Sequence, residues 1–172
     1  MISFSPTEEQ QMIVSMVKQF ASDEMRKIYR ECDESGEIPD SVIDTAWKMG
    51  LISSNIPEDY GGFGGEHSAI TGSLIAEELA WGDLSMTIHI LCPAIFSYPV
   101  LEMGTETQRK KYLPLVCDEK YKTATAALIE PHFDFDPYSL LTIARPDGNE
   151  YVLNGEKCYV PLAAEADFLL VY

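Results

Sequence analysis

The chain has 172 residues and a mass of 19.2 kDa, enough for one ordinary domain or for one domain and part of a second. Hydrophobic residues make up 46% and charged residues 23%, which are the proportions of a globular protein with a sizeable core. The formal net charge of -16 disfavours nucleic acid or an anionic membrane surface as a partner, because both are negatively charged.

The sequence contains no recognisable targeting or anchoring segment. We find no apolar run that approaches the roughly 18–20 residues needed to span a bilayer. The first ten residues lack the basic and apolar regions of a signal peptide. The four cysteines form no C-x-x-C pair, and the three histidines lack metal-binding spacing. We therefore predict a soluble, cytoplasmic protein with reduced thiols and no metal site.

The first part of the chain is predicted to be helical. Ser5-Pro6-Thr7-Glu8 has the pattern of a capping box with Ser5 at the N-cap, followed by an apolar helical stripe. A polar loop is expected over residues 30–39, and a second helix is expected to end near Gly50. Residues 51–65 contain a proline and four glycines, which predicts a structured loop.

Further helices are predicted in the middle of the chain. One begins near Ser68 and is expected to face inward through Ile70, Leu74, Ile75 and Leu79. The apolar stretch over residues 84–101 predicts a buried helix that Pro93 and Pro99 kink or end. Thr105-Glu106-Thr107-Gln108 forms a second capping-box pattern and predicts one more helix.

The hydrophobic pattern changes after Lys122 from helical to short, strand-like segments. Strands are predicted at residues 142–144, 151–153, 158–160 and 168–172, with hairpin turns at Asp147-Gly148 and Asn154-Gly155. We therefore predict an α+β fold that is mainly α. A helical domain over residues 1–121 is followed by the first antiparallel strands of a β domain over residues 122–172.

Several motifs follow one another along the whole chain: Ile56-Pro57-Glu58-Asp59-Tyr60-Gly61-Gly62, Glu77-Glu78-Leu79-Ala80, Gly104-Thr105-Glu106-Thr107-Gln108, Glu130-Pro131 and Leu153-Asn154-Gly155-Glu156-Lys157. In this order they resemble the acyl-CoA dehydrogenase family. Each motif is weak alone, but the combination is specific. The resemblance implies a helical domain, a middle β-barrel domain and a C-terminal helical bundle. A chain that stops at Tyr172 is therefore expected to be a fragment of a longer protein.

The resemblance also implies a reaction. Family members oxidise an acyl thioester to the trans-2-enoyl thioester: a glutamate removes the α-proton, and the β-hydrogen leaves as hydride to N5 of FAD. It places this base in the C-terminal bundle, so no catalytic residue is expected in residues 1–172. The implied partners are an acyl-CoA or acyl-carrier thioester, an electron-transferring flavoprotein as acceptor, and further subunits of a homo- or hetero-oligomer.

Two segments match the places where the family contacts its flavin. The resemblance assigns cofactor binding to Leu128, Ile129, Phe135, Tyr159, Val160 and Pro161. Ile129 lacks the hydroxyl that the family directs at the pyrimidine edge of the flavin, although the backbone N–H groups of Leu128 and Ile129 could still donate. Pro161 has no N–H to give.

The resemblance further implies a substrate wall formed by Ile95, Phe96 and Phe135, although the first two could equally be ordinary core residues. Two accounts of the whole protein stay open at this point. One is a variant dehydrogenase that binds FAD through the remaining contacts and a partner subunit. The other is a non-catalytic partner subunit or assembly module with a degenerate flavin site. The length and branching of the acyl chain are not determined.

Overall fold

A computed structural model describes residues 5–65 and 67–172 as helices followed by short strands. The helices are α1 (Glu8–Phe20), α2 (Tyr29–Ser35), α3 (Asp40–Lys48), α4 (Ala69–Gly82), α5 (Leu84–Met103) and α6 (Glu106–Tyr112). The strands are β1 (Ala124–Ala127), β2 (Ile143–Asp147), β3 (Glu150–Asn154) and β4 (Phe168–Val171). The predicted α+β class, with a helical part followed by strands, is confirmed.

Capping side chains determine where α1 and α6 begin. Thr7 Oγ1 accepts from Gln10 N at 3.2 Å, and the Gln10 side chain accepts from Thr7 N at 2.9 Å. The capping box therefore lies two residues later than the one predicted at Ser5. The second predicted box, formed by Thr105 and Gln108, is confirmed.

The polar segment after α1 is largely helical, so the predicted loop over residues 30–39 was wrong in its first half. Helix α2 ends at Gly36, whose φ of 75° gives the left-handed cap that glycine adopts without strain. Cys32 is buried, whereas most of the other α2 side chains are exposed. A helix of seven residues with only one fully buried side chain has too little apolar periodicity to be distinguished from a loop in the sequence.

Helix α4 confirms two of its four predicted inward residues. Ile75 and Leu79 are buried and Leu74 is partly buried, but Ile70 is 68% exposed. Ile70 precedes Ile75 by five residues, which places it about 140° away around the helix. It therefore lies outside the buried stripe.

Helix α5 is the central element of the fold, and it continues through both prolines. Its first half packs into a core shared with α1, α3 and α4, and its second half packs into a core shared with β1 and residues 113–116. Pro93 lacks the N–H that would bond to the His89 carbonyl. The Tyr121 hydroxyl donates to that carbonyl at 3.0 Å instead, so the group stays satisfied.

By length and composition alone, α5 could cross a membrane, since an 18-residue window within it has a mean hydropathy of 1.6. The prediction that no apolar run approaches the roughly 18–20 residues needed to span a bilayer was therefore wrong. The indication is weak, because the core helix of a soluble protein passes the same test. Of this window, 44% is buried inside the protein, which agrees with a helix that contributes residues to two hydrophobic cores.

The strands form two separate pairs. β2 and β3 pair antiparallel through a turn at Gly148, as the hairpin signal predicted. β1 and β4 pair in parallel, with Ala124 opposite Phe168, so the antiparallel prediction was wrong for this pair. The connection between them is long enough to return the chain to the same end, which parallel pairing requires. Residues 158–160 form no strand, and Asn154-Gly155 ends β3 without a second hairpin.

Two glycines give contrasting expectations for stability. A Cβ at Gly62 would overlap the Ile56 carbonyl oxygen, whereas a Cβ at Gly72, within α4, would meet nothing within 4 Å. Gly62→Ala should lower the free energy of unfolding by about 1–3 kcal/mol because backbone atoms must shift. Gly72→Ala should raise it by about 0.5–1 kcal/mol through helix propensity. Urea unfolding of both variants tests the pair, and equal effects would contradict the packing described for Gly62.

Candidate functional site

A buried carboxylate lies at the centre of the candidate site. Glu130 is only 3% exposed, in the loop that follows β1. Its Oε1 accepts hydrogen bonds from the Thr142 backbone N at 2.7 Å, from Thr142 Oγ1 at 2.6 Å and from Lys157 Nζ at 3.0 Å. Its Oε2 accepts from Leu141 N at 2.7 Å and lies 3.3 Å from His132 Nε2. Every neighbour of the carboxylate can therefore stabilise its negative charge.

These contacts hold the pKa of Glu130 far below its usual value of 4.5, with the Thr142 hydroxyl as the largest cause. Burial acts in the opposite direction, and the hydrogen bonds outweigh it. Glu130 is therefore a stable anion at neutral pH. Its role is to hold neighbouring groups in place, and its low proton affinity makes it a poor general base.

Lys157 links this carboxylate to the end of β1. Its Nζ donates to Glu130 Oε1 and to the Leu128 carbonyl oxygen, both at 3.0 Å, and its side chain is only 10% exposed. The next residue, Cys158, donates its backbone N–H to the Ile129 carbonyl at 2.9 Å. The structure thus brings together the two segments that carry most of the expected cofactor residues.

The segment after Cys158 has a constrained backbone. Tyr159 and Leu162 both have φ of 52°, the left-handed region, on either side of Val160 and Pro161. Such conformations cost about 1–2 kcal/mol each for residues other than glycine and persist only where the surroundings enforce them. Tyr159 is 88% exposed, so its ring is accessible to a ligand.

A contact with α5 ties this segment to the helical part of the chain. Cys92, on α5, lies with its Sγ 3.8 Å from the Pro161 carbonyl oxygen. Burial raises the pKa of the Cys92 thiol, which keeps it protonated and able to donate. The segment is therefore held at both ends, by Ile129 and by Cys92.

The end of β1 presents unused backbone donors. Ala127 O accepts from Tyr172 N at 3.1 Å on the side of β4, while Leu128 O accepts from Lys157. Because peptide groups alternate in direction along a strand, Leu128 faces away from β4. Within the described residues, neither Leu128 N–H nor Ile129 N–H donates to a protein acceptor. Cys158 joins the segment that carries these donors to the exposed Tyr159. Free backbone donors and an exposed aromatic ring suit a planar ring with carbonyl acceptors, and the residues fit a flavin with one backbone donor fewer, since Pro161 has none.

The three expected substrate residues lie in different surroundings. Phe96 is 5% exposed and contacts Tyr112 and Phe168, with ring centroids 6.1 and 6.0 Å away. Ile95 is 42% exposed, because adjacent residues on a helix point about 100° apart. Phe135 is partly buried, and its ring centroid lies 5.9 Å from that of His132. Their role in substrate binding stays a prediction.

Two cavities in the described part of the chain have no lining residue in common with the surroundings of Glu130. A cavity of about 540 Å³ lies between Phe96 and β4, and it includes none of the six expected cofactor residues. A cavity of about 580 Å³ lies between α3 and residues 116–121, and it also includes none of them. A small cavity of about 180 Å³ adjoins Glu130, His132 and Glu156. The candidate site is therefore an open surface of backbone donors and an aromatic ring.

Sequence reasoning missed the contacts among Glu130, Thr142 and Lys157. The motifs that contain Glu130 and Lys157 were recognised separately, but the two residues are 27 positions apart, and no periodicity indicates that they pair. The available signal was that each polar residue sits next to an expected cofactor segment. A buried carboxylate needs such a cation, so their proximity could have been tested as a hypothesis.

Comparison with known proteins agrees with these features. The family model described as "Acyl-CoA dehydrogenase, N-terminal domain" matches residues 7–120. The chain belongs to the acyl-CoA dehydrogenase family. The resemblance of the sequence motifs is thereby confirmed. The domain division at residue 121 itself stays a prediction.

Individual acyl-CoA dehydrogenases and their relatives align over nearly the whole chain. A 3-(aryl)acrylate reductase of Clostridium sporogenes is 31% identical, over 96% of this chain and 44% of its own length. The butyryl-CoA dehydrogenase of Megasphaera elsdenii has a TM-score of 0.84 at 26% identity, over 99% of this chain and 45% of that one. An acyl-CoA dehydrogenase of Bacillus anthracis, solved in complex with FAD, has a TM-score of 0.77 at 31% identity, over 98% of this chain and 29% of that one. The chain thus spans less than half the length of each.

The free energy of unfolding should fall in acid because Glu130 becomes protonated. Because its folded pKa lies below the unfolded value of 4.5, its contribution is fully present above that value and is lost as pH falls toward the folded pKa. We expect Glu130→Gln to lower the melting temperature at neutral pH. Between about pH 5 and pH 3 the melting temperature of this variant should also depend less on pH than that of the wild type. Scanning calorimetry across this range measures both effects.

Glu156→Gln is the matched control, because Glu156 adjoins the same small cavity but is exposed. Its profile should follow that of the wild type. Parallel profiles for Glu130→Gln and the wild type would contradict the assigned role of the carboxylate.

Proposed function

We propose that this chain is the N-terminal part of an FAD-dependent acyl-CoA dehydrogenase that oxidises an acyl thioester to the trans-2-enoyl thioester. The observation that carries the proposal is the pair of hydrogen bonds, Lys157 to Leu128 and Cys158 to Ile129, that joins the two expected flavin segments. Family membership supports it, as does the relative solved with FAD.

The residues of this chain hold and orient the cofactor. The N–H groups of Leu128 and Ile129 would donate to the pyrimidine edge of the flavin, and Tyr159, Val160, Pro161 and Phe135 would contact its ring system. FAD, when bound, supplies the hydride acceptor. The glutamate base is expected in sequence that follows Tyr172, and a cytoplasmic location, an oligomeric state and an electron-transferring flavoprotein as acceptor stay predictions.

The substrate is an acyl thioester of undetermined chain length. One relative is named for butyryl-CoA and another for the reduction of a 3-(aryl)acrylate, so the substrates named for relatives differ and do not fix the acyl group of this protein. Ile95, Phe96 and Phe135 remain the proposed wall. Since Phe96 is packed in the core, replacing it with alanine should also cost about 3–5 kcal/mol of stability, which complicates its use as a specificity probe.

A second candidate is a non-catalytic partner subunit. The observation that favours it is the reduced donor set: Pro161 offers no N–H and Ile129 no hydroxyl. The exposed carboxylate of Asp134 adds negative charge to the same loop, which disfavours an anionic ligand. In this account the fold is retained for assembly, and the flavin site is degenerate.

The full-length gene product separates the two candidates. The proposed dehydrogenase should purify with a flavin absorption spectrum, or acquire it when FAD is added, and should form an enoyl thioester from at least one acyl-CoA with an artificial electron acceptor. A protein that stays colourless after addition of FAD would contradict the proposal and favour the partner subunit. Its intact mass shows directly whether the chain continues beyond Tyr172.

Pro161→Thr should strengthen FAD binding, because it restores an N–H and a hydroxyl at the position where the family contact is missing. One or two added hydrogen bonds predict a dissociation constant about 2- to 10-fold lower, measured by fluorescence titration of the apoprotein. Pro146→Thr, in the exposed strand β2, is the matched control and should leave the constant unchanged. Weaker binding by Pro161→Thr would mean that the flavin does not use this position.

A further inference from the structure

Lys157 differs from the other lysines that form ion pairs in the described chain. Its side chain is 10% exposed and that of its partner Glu130 is 2% exposed. In the pair formed by Lys110 and Glu106, by contrast, the side chains are 67% and 57% exposed. Removing two charges from water is unfavourable unless other contacts hold them in a fixed geometry. The buried pair therefore needs an explanation that a surface ion pair does not.

The ammonium group of Lys157 acts on the peptide that joins Leu128 and Ile129. It donates to the Leu128 carbonyl at 3.0 Å, and a charge-assisted bond of this kind is about twice as strong as a neutral one. Withdrawal of electrons from the carbonyl polarises the peptide group, which makes the N–H of Ile129 a stronger donor. The same N–H has no protein acceptor in the described chain.

Glu130 prevents this ammonium group from moving away. Its carboxylate is itself fixed by Leu141 N, by Thr142 N and by Thr142 Oγ1, at 2.6 to 2.7 Å. Lys157 also directly precedes Cys158, whose N–H holds the Ile129 carbonyl. A single buried pair thus fixes both segments of the candidate flavin site.

We propose that Glu130 and Lys157 form a positioning pair for the flavin, which strengthens and orients the Ile129 N–H and so compensates for the hydroxyl missing at Ile129 and the N–H missing at Pro161. This inference rests on the proposed function. It assigns Lys157 an effect on the cofactor through Leu128 and Ile129, without contact between the ammonium group and the flavin.

The pair should affect the redox behaviour of the cofactor as well as its affinity. Reduction places negative charge on the pyrimidine part of the ring, and strong donors at that edge stabilise the charge. The pair should therefore raise the reduction potential of the bound flavin. A merely structural role would not move this quantity in molecules that remain folded.

The test uses the full-length holoenzyme and the variant Lys157→Met, which keeps an unbranched side chain of similar length and removes the ammonium group with its charge. We expect the dissociation constant for FAD to rise about 10- to 100-fold, as for the loss of a hydrogen bond to a charged group, and the midpoint potential of the bound flavin to fall. Lys110→Met, which breaks the exposed pair with Glu106, is the matched control and should change neither quantity.

Thr142→Val is the milder variant if Lys157→Met fails to fold. It removes one hydroxyl donor from Glu130 and leaves the ion pair in place, so the FAD dissociation constant should rise about 2- to 10-fold. An unchanged constant in Thr142→Val would overturn the inference in that case.

The outcomes distinguish this inference from the proposed function. A wild-type protein that binds no FAD would refute the proposed function and the inference with it. A wild type that binds FAD, beside a folded Lys157→Met with unchanged affinity and potential, would refute the positioning pair alone. A loss of thermal stability in Lys157→Met with unchanged affinity and potential would assign the pair a structural role only and would likewise overturn the inference.

Discussion

The buried carboxylate of Glu130 is the interaction on which the β part of this chain depends. It accepts hydrogen bonds from residues 141–142, just before β2, and from Lys157, three residues after β3, which meet at the open end of the β2–β3 hairpin beside the Ile143–Asn154 pair. Leaving such a charge without partners in a low-dielectric surrounding would be strongly unfavourable. The loop after β1, the start of the hairpin and the segment that follows it must therefore converge on one point. The open backbone donors of the candidate site result from this convergence.

Helix α5 has the corresponding role in the helical part. It is apolar over its whole length, so it can contribute to two cores at once, with Met86 and Ile90 in one and Phe96 and Val100 in the other. The Tyr121 hydroxyl satisfies the carbonyl that Pro93 leaves free and joins the helix to the residues just before β1. Because Cys92 also contacts the Pro161 carbonyl, the helix positions the segment that carries Tyr159. The two parts of the chain are therefore connected where the candidate site lies.

Most of the helices could be predicted because their signals are local. The capping pattern of Thr105 and Gln108 and the stop at Gly50 involve residues within one or two turns of each other. Helix α2 could not be predicted in this way, since Cys32 is its only fully buried residue and Tyr29 is only partly buried against the core. The parallel pairing of β1 with β4 could not be predicted from the sequence either. Their partners are more than forty residues apart, and the hydrophobic pattern of a strand is the same for either direction of pairing.

The same distinction between local and long-range signals applies to the candidate site. The family could be identified from the sequence, through motifs whose order is specific. The residues of both expected flavin segments could also be named, because each motif is contiguous. Three features required the folded structure. Lys157 lies between Glu130 and Leu128, Tyr159 is exposed and has a left-handed backbone conformation, and Phe96 is packed in the core. Hydrogen bonding and burial depend on distances in space. Residues that are far apart in the chain come within these distances only when the whole chain folds, so their contacts leave no local signal in the sequence.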